Sequence, residues 1–244
     1  MSLDLPTPQR ALAIAAHPDD VEFQCGATLA KWAASGCEVS HLICTDGSKG
    51  SWDVDADLPR LVVTRQGEQR TAAARLGGTG EVVFLGWPDG ELETGLRQRW
   101  EIAYWIRKLR PDVVLGHDPW KRYRLHPDHR AAGLLACDGV VAARDPHFFP
   151  EQSIAHHRPS ALLLFEADQP DHTEAVERTH AEAKVTALLA HESQFETTMA
   201  IDLDGAARAA GQAAFHDRIL RELADAGTAA EVDLAERYKL IADL

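Results

Sequence analysis

Short apolar runs that stop abruptly at polar loops, each followed by a helix-forming stretch, recur four times within the first 143 residues. Ala11 to Ala16 is one such run. It ends at His17-Pro18 and has the continuous apolar character of a buried parallel strand. A helix follows over Ala27 to Ala34, stopped by Gly36, and Val39 to Cys44 is the second strand. Leu61 to Leu76 is helical in composition and ends at Gly77-Gly78, a C-cap, with Thr79-Gly80 as connector. Val82 to Leu85 is the third strand. Thr94 is placed to cap a helix with Ile102, Ile106 and Leu109 on one face, closed by Pro111. Val113 to Gly116 and Pro127 to Ala143 complete the fourth pair. Strict alternation of this kind predicts an α/β, Rossmann-like fold: a mainly parallel sheet with right-handed crossovers and helices on both faces.

Beyond Pro150 the pattern loosens. Ala161 to Phe165 reads as a fifth strand. Thr179 with Glu182, and Thr228 with Glu231, are capping-box patterns that predict two helix starts, and Asp204 should cap a long Ala- and Arg-rich helix. No repeat or linker interrupts the chain, which reads as a single domain over 1–244. Core motifs fall within 11–143, and 151–244 complete the fold and the pocket. With 45% hydrophobic residues there is ample material for one core. The balance of 25 basic and 38 acidic residues, a formal charge of −13, argues against nucleic-acid binding. No apolar stretch is long enough to insert into a membrane, and MSLDLPTPQR is unlike a signal peptide. Cys25, Cys37, Cys44 and Cys137 form no C-x-x-C pair, so a reduced, cytoplasmic setting is expected.

In open parallel sheets ligands bind beyond the carboxyl ends of the strands. Those ends carry AHPDD, TDGSKGS, GWPDGE and HDPWKRYRLHPDHR, where nearly all the clustered His and Asp residues of the chain lie. His17, Asp19 and Asp20 put an imidazole and two carboxylates within four residues. His126 and His129 stand three apart at a helix start, on one face. Two His and one carboxylate make a common open zinc site; a second carboxylate can then act as base and a spare His can polarise the bond attacked. Each motif alone also reads as a Pro-containing turn or a helix N-terminus, with Pro127 at N1 and Asp128 in the first turn. Both together at strand ends of one sheet favour the site. No G-x-G-x-x-G, P-loop or G-x-S-x-G pattern competes.

AHPDDVE at 16–22, followed by CGATLAKWA, resembles the first motif of the LmbE-like (PIG-L) de-N-acetylases, and HPDHRAAG at 126–133 resembles their second. Arg65-x-x-Glu68-x-x-x-Ala72-x-x-x-Leu76-Gly77 resembles the helix between them. The likeness spans 11–143 and extends weakly to His191-x-Ser193-Gln194. The resemblance implies one Zn2+ per chain, with other divalent ions able to substitute, held by His17, Asp20 and His129. It further implies Asp19 as general base, His126 as oxyanion donor, Asp128 as the partner orienting an imidazole, and Arg65 and Asp89 as substrate-binding residues. The activity implied is hydrolytic removal of acetyl from an N-acetylglucosamine-type sugar or its conjugate. Alternatives are an amidase for a larger acyl or thiol-conjugate substrate, and a catalytically silent metal- or sugar-binding member. The partner expected is therefore a small N-acyl amino-sugar conjugate, with homo-oligomerisation left open.

This chain departs from the family pattern in two places. Val21 separates the Asp pair from Glu22, and Arg124 stands where some members carry a tyrosine, in an unusually basic and aromatic loop over 118–125. His117 and Asp118 end the fourth strand and so have a suggestive position. His41 reads as a core residue, His147, His156 and His157 as loop residues, and His172 is unassigned. Trp32, Trp100 and Trp105 are expected in the core, while Trp52, Trp87 and Trp120, in strand-end loops, are candidates for stacking on a sugar ring.

Overall fold

Successive residues of a strand point to opposite faces, and this separates two cores. In β2 (Arg10–Ala15), Ala11, Ala13 and Ala15 join one apolar cluster, whereas Leu12 and Ile14 join another. The first cluster packs β2, β3 (Glu38–Thr45), β5 (Val113–His117) and β6 (Ala161–Phe165) against α1 (Asp20–Ala34) and α2 (Leu58–Arg75). The second packs the other face against α3 (Leu96–Leu109) and α4 (Pro127–Arg144). A third cluster joins α5 (Arg178–Leu188), the π-turn Phe195–Met199 and α6 (Gly205–Thr228). Trp32 is fully buried, as expected of a core tryptophan, while Trp100 and Trp105 are only partly covered.

The coordinates, a computed structural model, describe residues 2–244. With β1 (Ser2–Leu3), β4 (Val82–Trp87), β7 (His172–Ala175) and β8 (Ala235–Ile241), the strands form one sheet in the order β1-β7-β8-β6-β5-β2-β3-β4. β2 pairs in parallel with both β3 and β5, and β5 pairs in parallel with β6. From β2 the chain first builds outward through β3 and β4. It then crosses back to place β5 on the other side of β2, so the strand order reverses between β2 and β5. That reversal opens a crevice at the strand ends, and the HPDD and HPDH segments leave β2 and β5 there.

The α/β expectation holds, with corrections at four helix boundaries. α1 begins at Asp20, seven residues before the apolar stretch that marked it, because its first turn is buried through Asp20, Val21 and Glu22. α3 is entered through Gly95, not Thr94. The Gln98 side chain folds back over Gly95 and would have to move to admit a side chain there. α5 has Glu177 as N-cap, and the reciprocal bonds join Glu177 and His180, leaving Thr179 and Glu182 inside the helix. Thr228 ends α6 and does not start a helix. Gly227 carbonyl accepts from Ala230 and Val232, and the chain turns into β8. β8 pairs antiparallel with β6 and β7, making the sheet mixed. Its cross-strand partners outweigh the local capping pattern.

The α3–α4 seam depends on Gly139, where any Cβ would clash with Ile102 Cγ2. Gly139→Val should lower stability by about 1–3 kcal/mol through overpacking, read as a lower urea midpoint. An unchanged midpoint would show that the seam yields freely.

Candidate active site

Proline at 18 and a left-handed residue at 19 bend the chain sharply as β2 passes into α1. Asp19 has φ 95° and ψ −29°, a costly conformation for a residue with a side chain. Asp20 then opens α1, and its Oδ2 accepts the His17 N–H at 2.8 Å. On the other side of the crevice, His126 is the N-cap of α4, with Pro127 and Asp128 in the first turn. The two loops face each other across the point where β2 and β5 part.

The structure brings His17, Asp20 and His129 together. His17 Nδ1 lies 3.2 Å from His129 Nε2 and 3.3 Å from Asp20 Oδ2, while His129 Nε2 lies 3.3 Å from Asp20 Oδ1. The two Asp20 distances end on different oxygens of one carboxylate, so that carboxylate faces both imidazoles, the residue types of a common open metal site. Overlapping sets of donor atoms also converge here, namely His17-His126-His129, His17-Asp89-His126-Asp128 and Asp20-His117-His129. Outside the trio, His17 Nε2 lies 3.1 Å from Asp128 Oδ2 and 3.2 Å from Asp89 Oδ1. A carboxylate on the outer nitrogen of a ligating histidine is the usual support for such a ligand.

Charge balance supports a cation. Burial opposes a charge on His17, but Asp128, Asp20 and Asp89 overcome it and raise its pKa well above the usual value. Burial works against ionisation of Asp20 too, yet the imidazoles of His129, His117 and His17 hold its carboxyl well below the ordinary range. Burial takes His129 down to about 4, so its ring is neutral near pH 7. Asp19 behaves differently. Desolvation, only partly offset by Arg65, pushes its carboxyl up to about 6, where an acid–base group serves near neutral pH.

His126 Nδ1 accepts the Asp128 N–H at 3.3 Å, which leaves its proton on Nε2 in the neutral ring. Burial and the neighbouring His17 charge lower its pKa, so the neutral form is favoured. The helix cap thus fixes His126 as a neutral N–H donor at the pocket.

Asp128 is fully buried and accepts from Gly90 N at 2.6 Å and Leu92 N at 3.2 Å, tying the loop after β4 to the start of α4. Asp89 lines the pocket, but its Oδ1 faces His17 and its Oδ2 accepts from Lys49 N at 3.0 Å. Arg65 is only 3% exposed. It donates to Pro18 O at 2.7 Å and Gly47 O at 2.8 Å, and its Nη2 lies 3.4 Å from Asp19 Oδ2. Gly47 and Gly50 pack so closely on its guanidinium that a Cβ at either would strike it. Arg65 therefore ties two loops together beside the Asp19 carboxyl, and it also lines the pocket, with its Nε making no hydrogen bond among the described residues.

Sequence reasoning left His117 open and missed Glu166. His117 is fully buried, with Nε2 3.4 Å from Asp20 Oδ2 and Nδ1 3.2 Å from Glu166 Oε2. Glu166 also pairs with Arg124, whose Nη1 lies 2.7 Å from His129 Nδ1. Glu166 directly follows β6, so the strand-end rule could have found it. The pocket, of about 560 Å³, is lined beyond the trio by Phe23, Trp52, Gln194, Thr197 and Thr198 among others. Trp52 is 79% exposed at its rim, whereas Trp87 donates to Glu101 and Trp120 lies outside the lining. His172 is buried in β7 beside Glu174, and His41 is a core residue as expected.

Residues 12–139, more than half of the chain, match the PIG-L family, described as GlcNAc-PI de-N-acetylase. The chain belongs to this family. It is 36% identical over 190 residues to the diacetylchitobiose deacetylase of Thermococcus kodakarensis, covering 77% of this chain and 70% of that protein. It is 33% identical over 174 residues to a 1D-myo-inositol 2-acetamido-2-deoxy-alpha-D-glucopyranoside deacetylase of Streptomyces avermitilis, covering 61% and 58% of the two chains. The fold superposes on the N,N'-diacetylchitobiose deacetylase of Pyrococcus horikoshii with a TM-score of 0.84 at 25% identity, over 96% of this chain and 84% of that one. The PIG-L chain described here is accordingly an N-deacetylase-type hydrolase. Its His/Asp cluster has the make-up expected of a metal-dependent member.

Since Arg65 is engaged by the protein itself, Arg65→Ala should lower kcat about 10–100-fold, the usual scale for residues that support a metal site's groups, with metal content and KM little changed. A rise in KM at constant kcat would instead assign Arg65 to substrate binding.

Proposed function

We propose that this chain is a zinc-dependent deacetylase that hydrolyses the acetamide of an N-acetylglucosamine-type sugar or its conjugate. The observation that carries this reading is the convergence, in one pocket, of the His17-Asp20-His129 trio with a separate raised-pKa carboxyl at Asp19 and a neutral imidazole N–H at His126. Two histidines and one carboxylate with an open side are a usual zinc arrangement. A divalent ion held there supplies Lewis acidity, which acidifies water and polarises a carbonyl.

The chain's own residues do the rest. Asp19 accepts a proton from the water that attacks the amide carbon. Arg65 keeps the Asp19 carboxyl turned toward the pocket and moderates the rise in its pKa. His126 Nε2–H donates to the amide oxygen as negative charge builds on it, the moment at which a fixed donor has most effect. Asp19, now protonated, returns the proton to the departing amine, without which the C–N bond would not break. Asp128 and Asp89 keep the His17 ring oriented.

The sugar occupies the remaining pocket, with Asp89 and Lys49 at its polar side and Phe23 and Trp52 at its apolar side. Residues 151–244 belong to the same catalytic domain, since Gln194, Thr197 and Thr198 supply one wall. We assign the enzyme to the reducing cytoplasm on its four free cysteines, three of them buried. No helix among the described residues is long and apolar enough to cross a membrane.

Wild-type protein should release acetate and free amine in equal amounts from N-acetylglucosamine conjugates. Asp19→Asn should retain metal and fold while losing about 10²–10⁴-fold in turnover, the range for removal of a general base. Near-normal turnover in the metal-loaded variant would assign the base elsewhere.

The two histidines of HPDH should separate cleanly. His126→Ala should keep its metal and lose about 10²–10³-fold in kcat, as for one oxyanion donor, whereas His129→Ala should lose metal and activity together. Metal stoichiometry of the two variants decides, and the opposite pattern would exchange their roles.

A further inference from the structure

Asp19-Asp20-Val21-Glu22 has the sequence of a capping box, in which the N-cap side chain bonds the N3 amide and the N3 carboxylate returns to the N-cap N–H. With Asp19 as N-cap of α1, Glu22 is at N3. Closed in the usual way, the box would commit the Asp19 carboxylate to the helix end and remove it from the pocket.

The box is open. The Asp19 carboxylate does not cap α1. The Asp19 N–H donates at 2.9 Å to Gln69 Oε1, on α2, and Gln69 Nε2 donates at 2.7 Å to Glu22 Oε1. Gln69 is thus inserted between the two residues that would otherwise bond each other. Its amide orientation is fixed, because Nε2 also lies 3.2 Å from His41 Nδ1. Burial keeps His41 neutral and able to accept there. Glu22 is flanked in turn by His191 Nε2 at 3.3 Å. Gln69, Glu22, His41 and His191 are fully buried. One turn earlier on the same face of α2 is Arg65, which faces the Asp19 carboxyl.

We propose that Gln69 is a positioning residue for the reaction: by intercepting the Asp19–Glu22 capping box, it holds Asp19 in its left-handed conformation with the carboxyl free to act as base. The role of Asp19 rests on the deacetylase reading, but the conformational device does not. Without Gln69, Glu22 can take the Asp19 N–H directly. Asp19 then relaxes to the extended conformation of an ordinary N-cap and turns its carboxylate onto the Glu22 N–H.

The test uses Gln69→Leu, Gln69→Glu and the exchange Gln69→Glu/Glu22→Gln. Each is assayed for kcat, KM, metal content and thermal midpoint, with a crystal structure of the leucine variant. Gln69→Leu should lower kcat about 10–100-fold at unchanged KM and metal content, and its structure should show Asp19 at negative φ with the box closed. Gln69→Glu sets two carboxylates face to face and should lose as much. The exchange restores the chain from Asp19 N–H through residue 69 to residue 22, with polarity reversed, and should recover kcat to within about threefold. This recovery is not expected of a merely structural glutamine. A leucine variant with wild-type kcat, Asp19 still left-handed in that variant, or an exchange no better than Gln69→Glu would overturn the proposal. If Gln69→Leu does not fold, the exchange decides alone. Absence of acetate release from wild-type protein would defeat the deacetylase reading, while Asp19 geometry in the variants would still test the device.

Discussion

The site depends on concentrating buried negative charge where β2 and β5 diverge. Asp19, Asp20, Asp89 and Asp128 are each at most 6% exposed; the last three lie around a single imidazole, that of His17, and Asp19 faces Arg65. Such a cluster would be costly without compensation. Part of it comes from backbone amides, as at Asp128, which accepts from Gly90 and Leu92, and at Asp89, which accepts from Lys49. Arg65 and the imidazoles provide more. The remaining negative excess suits a divalent cation. Neighbouring carboxyls diverge because their surroundings differ: burial drives the Asp19 carboxyl toward neutrality, whereas the imidazoles around Asp20 outweigh burial and hold it strongly acidic. Adjacent residues are thereby suited to the separate tasks of ligand and base that the proposed reaction needs.

The parallel half of the fold was readable from sequence because its strands are apolar on both faces and its helices begin and end at strong signals. Leu61–Leu76, Val39–Cys44 and Ala161–Phe165 fall on α2, β3 and β6 within a few residues. The antiparallel end was not readable. β8 carries Glu236, Arg237 and Lys239 among its apolar residues and owes its conformation to β6 and β7, so local capping signals at Thr228 and Glu231 pointed the wrong way. Glu177 and His180 formed a capping box from an atypical residue pair, which the Thr179–Glu182 pattern obscured.

At the site, residues within the two short motifs were visible and those brought in from distant segments were not. HPDD and HPDH place His17, Asp19, Asp20, His126 and His129 by local sequence alone. Gln69 and Glu166 come from α2 and the end of β6, and only the folded chain brings them to Asp19 and His117. Arg65 is intermediate. Its motif marked it, but its bonds to the carbonyls of Gly47 and Pro18 appear only in the folded chain.

The claim on which the account turns is that one divalent ion in this cluster makes the chain a deacetylase. Titrating chelator-stripped protein with zinc while following acetate release from N,N'-diacetylchitobiose and related N-acetylglucosamine conjugates tests it directly. The account predicts no release from stripped protein and a linear recovery that breaks at one equivalent per chain. Full activity in the stripped protein, or a chain carrying one zinc that releases acetate from none of these sugars, would contradict it.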